Sequence, residues 1–272
     1  MKRILSTLLT LGFITLSANA WDAYERVSVV GKTLLEKNSL PTTITFSIVE
    51  GIADNSETIS NNVINISKED LKYAGNDSEV AAVVSNELGH IINGQTSKNK
   101  MREIAKAAIT SKLSADNIIT TAANSEYITN KTNLNDEMSA DITGIDLMCK
   151  TGYNPLAMVV LITKRPTTNT LETLQGKPNN SERAMNAFDY LTYAYSSKVQ
   201  AGYGCQEYRN FLTYATPIVN ARNSNTKKLA KFNKQQAKNQ SKRAKDIASY
   251  KNTGMSGWDM SYSLLQSFTQ PK

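Results

Sequence analysis

Apolar residues recur at helical spacing along most of the chain and at strand spacing in only two places. Ala23, Val27, Val30 and Leu34 predict an amphipathic helix over Trp21 to Lys37, ended by Asn38 with Pro41 just beyond. Thr42 to Val49 is rich in β-branched residues and reads as a strand, and Val63 to Ile66 reads as a shorter one. With only the turn-prone Gly51 to Ser60 between them, the two are expected to pair as a hairpin.

Ser67, three residues before Asp70, opens a short turn that runs to Gly75. Asn76 or Asp77 then caps a helix whose apolar face is Val80, Val83, Val84, Leu88, Ile91 and Ile92, closed by Gly94. Met101 to Leu113 predicts another helix. The Asn, Thr and Ser-rich segment Asp116 to Asn133 reads either as a flap or as a weak helix.

A helix over Asp136 to Met148 follows, stopped at Gly152, and Tyr153-Asn154-Pro155 starts the next, through Ile162. Arg165 to Asn180 is a polar loop, and Ser181 caps a helix to about Ser196. Phe211, Leu212 and Tyr214 supply contacts for the segment up to Pro217. Asn223 to Lys251 reads as solvated and intermittently helical. The sum is a mainly helical α+β fold with a small sheet near its N-terminal side, and no internal repeat.

At 272 residues the chain is long enough for one sizeable core with an appendage. Lys2 and Arg3 precede an apolar run from Ile4 to Leu16, and Ala18-Asn19-Ala20 supplies a signal-peptidase site, so residues 1–20 read as a secretory signal. The remainder then divides into 21–220, the folded domain, and 221–272, a basic and partly flexible extension. No later stretch is apolar for long enough to cross a membrane, which places the mature chain in the periplasm or outside the cell. An oxidising compartment permits a disulfide between Cys149 and Cys205, although no spacing rule links them, and two unpaired thiols fit the sequence equally well.

The formal charge of +7 is concentrated in one stretch, Lys227, Lys228, Lys231, Lys234, Lys238, Lys242, Arg243 and Lys245, where Asp246 is the lone acid. Such a tail suits an anionic surface. It lacks the interleaved aromatics of a nucleic-acid stacking platform, so no specific nucleic-acid partner is expected.

The chemistry converges on Asn86-Glu87-Leu88-Gly89-His90. In the motif His-Glu-x-x-His, two imidazoles on one helical face bind zinc while the Glu acts as general base. Here Asn86 stands at the first ligand position, and His90 is the chain's one histidine. Further on, Glu137 and Asp141 are four residues apart and share a helix face.

Together with Gly152-Tyr153-Asn154-Pro155 and Lys177-Pro178-Asn179-Asn180-Ser181-Glu182-Arg183, these motifs resemble, in order and spacing, the gluzincin zinc metallopeptidases of the HtpX-like and CAAX-prenyl-endopeptidase-like family, soluble periplasmic type. The resemblance runs from about Thr42 to Tyr195. It implies a zincin-like metallopeptidase domain with His90 and Glu137 as zinc ligands, Glu87 as general base, Asp141 as the carboxylate behind the ligands, and Arg183 as a support of the cleft. Two positions depart from that pattern: Asn86 replaces a ligand histidine, and Lys177 replaces the histidine of a His-Pro pair.

A neutral amide oxygen is a poor zinc ligand, so a site of Asn86, His90 and Glu137 would be weak, and closer to what Mn or Mg tolerates. Two readings stand side by side. In one, the chain is an exported metalloendopeptidase acting on polypeptides, in envelope protein quality control, with Glu87 as base and Arg183 or Lys177 at the oxyanion. In the other, it is a pseudopeptidase in which Asn86 bonds Asp141 and the cleft, with the sheet edge, holds a peptide or protein partner.

Overall fold

The computed structural model describes residues 21–51, 62–110, 118–167, 172 and 174–269, with side chains left undescribed at 103–133, 266, 268 and 269. Residues 1–20, which the sequence reading assigns to a secretory signal, and most of the linker between the two strands therefore lie outside the described residues.

Helix α1 (Ala23–Lys37) starts at Asp22, whose carboxylate accepts from the Tyr24 amide, and buries Val27, Val30 and Leu34 on the face the spacing predicts. Strands β1 (Thr45–Val49) and β2 (Val63–Ser67) form the sheet. They run parallel, Thr45 opposite Val63 and Val49 opposite Ser67, which corrects the expected hairpin. Alternation of side chains is the same for either strand direction, and the intervening segment of about a dozen residues suffices for a parallel crossover.

Ser67 then caps the short helix α2 (Lys68–Leu71). Asn76 caps α3 (Asp77–Ile92) by accepting from the Glu79 amide. Helix α3 is the central rod of the molecule. Its residues from Glu79 to Ile92 are buried except at Glu87 and His90, and it stops where Gly94 takes φ +63°.

Helices α4 (Gln95–Thr110) and α5 (Ile118–Thr151) follow. From Ile118 onward the segment read as flap or weak helix is helical backbone; its first two residues, Asp116 and Asn117, lie outside the described residues. Helix α5 is the principal partner of α3. The two approach so closely that a Cβ on Gly89 would come within 2.4 Å of the Ala140 carbonyl oxygen, and one on Gly144 within 2.9 Å of Ser85. Thr143 Oγ1 donates to Asn93 Oδ1 across the same seam (2.9 Å).

Helix α6 (Leu156–Lys164) is buried from Leu156 to Ile162 and packs on α3. Helix α7 (Ser181–Ala194) lies against α5 and α6. Asn180, in left-handed backbone, occupies its N-cap position in place of Ser181; Ser181 is the first helical residue and bonds Glu172 instead. A short α8 (Ser196–Gln200) leads to α9 (Gln206–Asn223), where Phe211 is fully buried and Leu212 and Tyr214 are partly so.

The lysine-rich segment is one uninterrupted helix, α10 (Thr226–Thr253). It is fixed to the domain by Gln236, Arg243, Ile247 and Tyr250, which are buried, and by Phe232, which packs against Tyr193 and under the Arg222 guanidinium. Helix α11 (Gly257–Thr269) returns to α4. Ser97 Oγ donates to the buried Asp259 (2.6 Å), and Ser256 and Asp259 cap each other.

The disulfide allowed by the sequence is not formed, and both cysteines are free thiols with separate surroundings. Burial, with Asp146 beside it, pushes the Cys149 thiol up to about 12. Cys205 caps α9, its sulfur accepting from the Tyr208 amide. No described helix is long and apolar enough to cross a membrane.

Candidate functional site

Glu87 and His90 sit on the one side of α3 that is not fully covered, because the neighbouring positions Asn86, Leu88 and Gly89 face the closely packed α5 seam and core. Helix α5 brings Glu137 and Asp141 to them one turn apart, and α7 supplies Arg183. The five charged or imidazole groups and Asn86 thus come from three helices, two of which, α3 and α5, are held close by the glycine contacts described above.

His90 Nε2 lies 3.2 Å from Glu137 Oε1. The other Glu137 oxygen receives an Arg183 NH2 nitrogen at 2.8 Å. Arg183 also grips Asp141 at two points, Nε to Oδ2 at 2.6 Å and NH2 to Oδ1 at 2.8 Å. Asn86 Nδ2 donates to Asp141 Oδ1 at 2.8 Å. Asp141 is fully buried and Asn86 almost so, whereas Glu87, His90 and Glu137 keep part of their surface open to solvent.

The charges settle accordingly. Burial alone would favour a neutral Glu137, but the Arg183 charge and the His90 contact hold its carboxyl well below the usual carboxylate range. For His90, burial favours the neutral ring, and the Glu137 bond and charge outweigh it and raise the imidazole to about 9. Glu87 is pushed up to about 7, chiefly by burial, with His90 opposing and Glu137 reinforcing. Arg183 is held cationic by Asp141 and Glu137 against its own burial.

One contributor is absent from the sequence-level candidates. Arg165, after α6, pairs with Asp70 at 3.3 Å and adds positive charge beside Glu137 and Glu87. Its signal in the sequence was only its place at the end of an apolar helix, and nothing there linked it to Asp70. Lys177 goes elsewhere: it is exposed and lines a neighbouring cleft of about 660 Å³ between α5, α7 and α9, with Met138, Met185, Asn186, Tyr214 and Ile218.

These residues do not fit a three-ligand zinc site. The donors are one imidazole, one carboxylate and one amide, and among the described residues no group of three His, Cys, Asp or Glu side chains is arranged to hold a metal ion. Both Glu137 oxygens and both Asp141 oxygens already have cationic or amide partners, and the Arg183 guanidinium occupies the electrostatic role a dication would need to share.

Comparison with protein families matches residues 55–190 to peptidase family M48, half of the chain and the half that carries Asn86, Glu87, His90, Glu137, Asp141 and Arg183. No curated protein and no solved structure matches the chain.

Proposed function

The chain belongs to peptidase family M48, and from that premise we propose that it is an exported, metallopeptidase-like protein that binds polypeptide without cleaving it. The observation that carries this reading is the closed network Asn86–Asp141–Arg183–Glu137–His90. Every polar group that a zinc peptidase of the HtpX-like type would direct to its metal here has a partner inside the protein, as a satisfied buried network requires.

The surfaces that would hold a polypeptide are retained beside this network. Both strands of a two-stranded sheet are edges, and β2 adjoins α3, so an extended chain could add to the sheet beside the helix that carries Glu87 and His90. The cleft lined by Met138, Met185, Tyr214 and Ile218 is of the size that accepts side chains, with Lys177 at its rim. The N-terminal signal pattern supports an envelope setting for such a protein, where unfolded chains would be the polypeptides at hand and quality control the role.

One observation favours the second reading, an active endopeptidase: Glu87 at about 7 is poised as a general base at neutral pH. In that case Glu87 takes a proton from the attacking water and returns it to the leaving amine, with Arg183 near the developing oxyanion.

Metal content and chelator-sensitive cleavage of an unfolded protein, measured for the wild type, Glu87→Gln and Asn86→His, separate the two. Metal and cleavage arising only in Asn86→His support the binding protein. Wild-type cleavage that Glu87→Gln abolishes overturns it. Retention of an unfolded polypeptide by the uncleaving wild type, read by fluorescence anisotropy, is the positive arm.

A further inference from the structure

Helix α10 carries its lysines in a stripe. Lys227, Lys231, Lys234, Lys238, Lys242 and Lys245 recur every three or four residues and so share one face, roughly opposite Gln236, Arg243, Ile247 and Tyr250, which are buried. Between that stripe and the buried face, where α10 meets α5, lies a cavity of about 210 Å³. Ser139 and Ile142 of α5 and Gln235, Lys238, Lys242 and Arg243 of α10 bound it, with Asn239.

No carboxylate lines this cavity. Arg243 is only 4% exposed and has its acid, Asp246, outside the lining (2.8 Å). Lys238 and Lys242 form no ion pair among the described residues, whereas nearby Lys98 is neutralised by Asp136 at 2.7 Å. Partial burial, followed by the charge of Arg243, lowers the Lys242 pKa; Asp246, one turn along α10, opposes that effect, Lys98 adds to it, and Asp136 opposes it. Like charges converging in a recess repel one another until an anion joins them.

The volume is below that of sites for drug-sized ligands, so it suits a single anionic group. Lysines that act as point charges, a planar guanidinium and a neutral hydroxyl from Ser139 match an acceptor with several charged oxygens. We propose that the cavity between α5 and α10 binds a phosphate group through Lys238, Lys242 and Arg243, supplied either as a soluble phosphate or as the headgroup of an anionic lipid. Ser139 and Ile142 lie on a different side of α5 from Glu137 and Asp141, so this site is separate from the candidate peptidase site and independent of its activity.

The test uses the whole protein with inorganic phosphate followed by calorimetry, and separately with phosphatidylglycerol vesicles against phosphatidylcholine vesicles followed by co-sedimentation. Lys238→Gln with Lys242→Gln removes the cavity's exposed cations, and Lys227→Gln with Lys231→Gln removes the same charge from the stripe alone. Saturable binding weakened about tenfold or more by the first pair and little by the second is expected, since charge-assisted hydrogen bonds are lost only in the first. Binding of soluble phosphate identifies that source, and saturable binding of the phosphatidylglycerol vesicles alone identifies the lipid. Equal weakening by both pairs, which is diffuse attraction along the helix, overturns the site, as does the absence of saturable binding to either probe. Circular dichroism of these exposed-lysine variants checks that each is folded.

Discussion

Asn86 and Asp141, 55 residues apart in sequence, are joined by a hydrogen bond of 2.8 Å at a point closed to water. The bond orients the amide so that its NH2 faces the carboxylate, and the same carboxylate anchors Arg183. The position that would carry the first ligand histidine is thereby part of the packing between α3 and α5.

The energetic weight of this arrangement lies with Asp141. Asp141→Asn leaves the Arg183 guanidinium with Glu137 alone, and loss of a buried partner of this kind costs about 3 kcal/mol or more. Asn86→Ala removes one hydrogen bond and should cost about 1–3 kcal/mol. Urea denaturation at neutral pH measures both, and a stabilised Asp141→Asn protein would show that Arg183 does not depend on it.

A single histidine makes the site's protonation directly readable. Proton NMR of the His90 ring should find it charged at pH 7, titrating at about 9, and Glu137→Gln should bring that value down. Because the folded value is raised above the ordinary 6.5, the stability it contributes is complete below 6.5 and is lost as pH rises through about 9. A ring already neutral at pH 7 in the wild type would contradict the ion pair with Glu137.

Close approach of α3 and α5 depends on Gly89. Gly89→Ala drives a methyl into the Ala140 backbone and should destabilise the fold by about 1–3 kcal/mol through overpacking. The helices must separate at the site, so the His90 titration should move back toward its ordinary value in the same variant. An unchanged melting temperature would mean that the seam yields without strain.

Acid should also loosen the segment before α7. Burial opposes ionisation of Glu172, but hydrogen bonds from Ser181, Thr167 and Asn180 outweigh it and hold the carboxyl below its ordinary 4.5. A lowered carboxylate stabilises the fold above that ordinary value, and the contribution fades as pH falls through the folded one. Glu172→Gln should therefore reduce stability at pH 7 and flatten its decline below pH 4.5, measured by denaturation across that range.

Much of this organisation can be read from the chain. Spacing alone places α1, α3 and α6, because each has an apolar face broad enough to register; the bond from Asn86 to Asp141 belongs to one of two readings the motifs leave open, and α3 and α5 form it. Strand direction escapes because alternation carries no arrow. Helix α10 is fainter in sequence because Gln236, Arg243 and Tyr250 do the burying alongside Ile247, so its inner face does not look apolar. Arg165 was hidden for another reason: Asp70 and Glu137, the charges that define its role, are brought to it only by tertiary packing.

The bond from Ser97 to Asp259 spans 162 residues and closes the corner just beyond the His90 helix. Contacts of such high sequence separation form late. A chain made from its N-terminus therefore carries Asn86 through Arg183 for some time before α11 exists to brace α4. The residues of the candidate site thus precede, in the order of synthesis, the helix that closes the corner beside them.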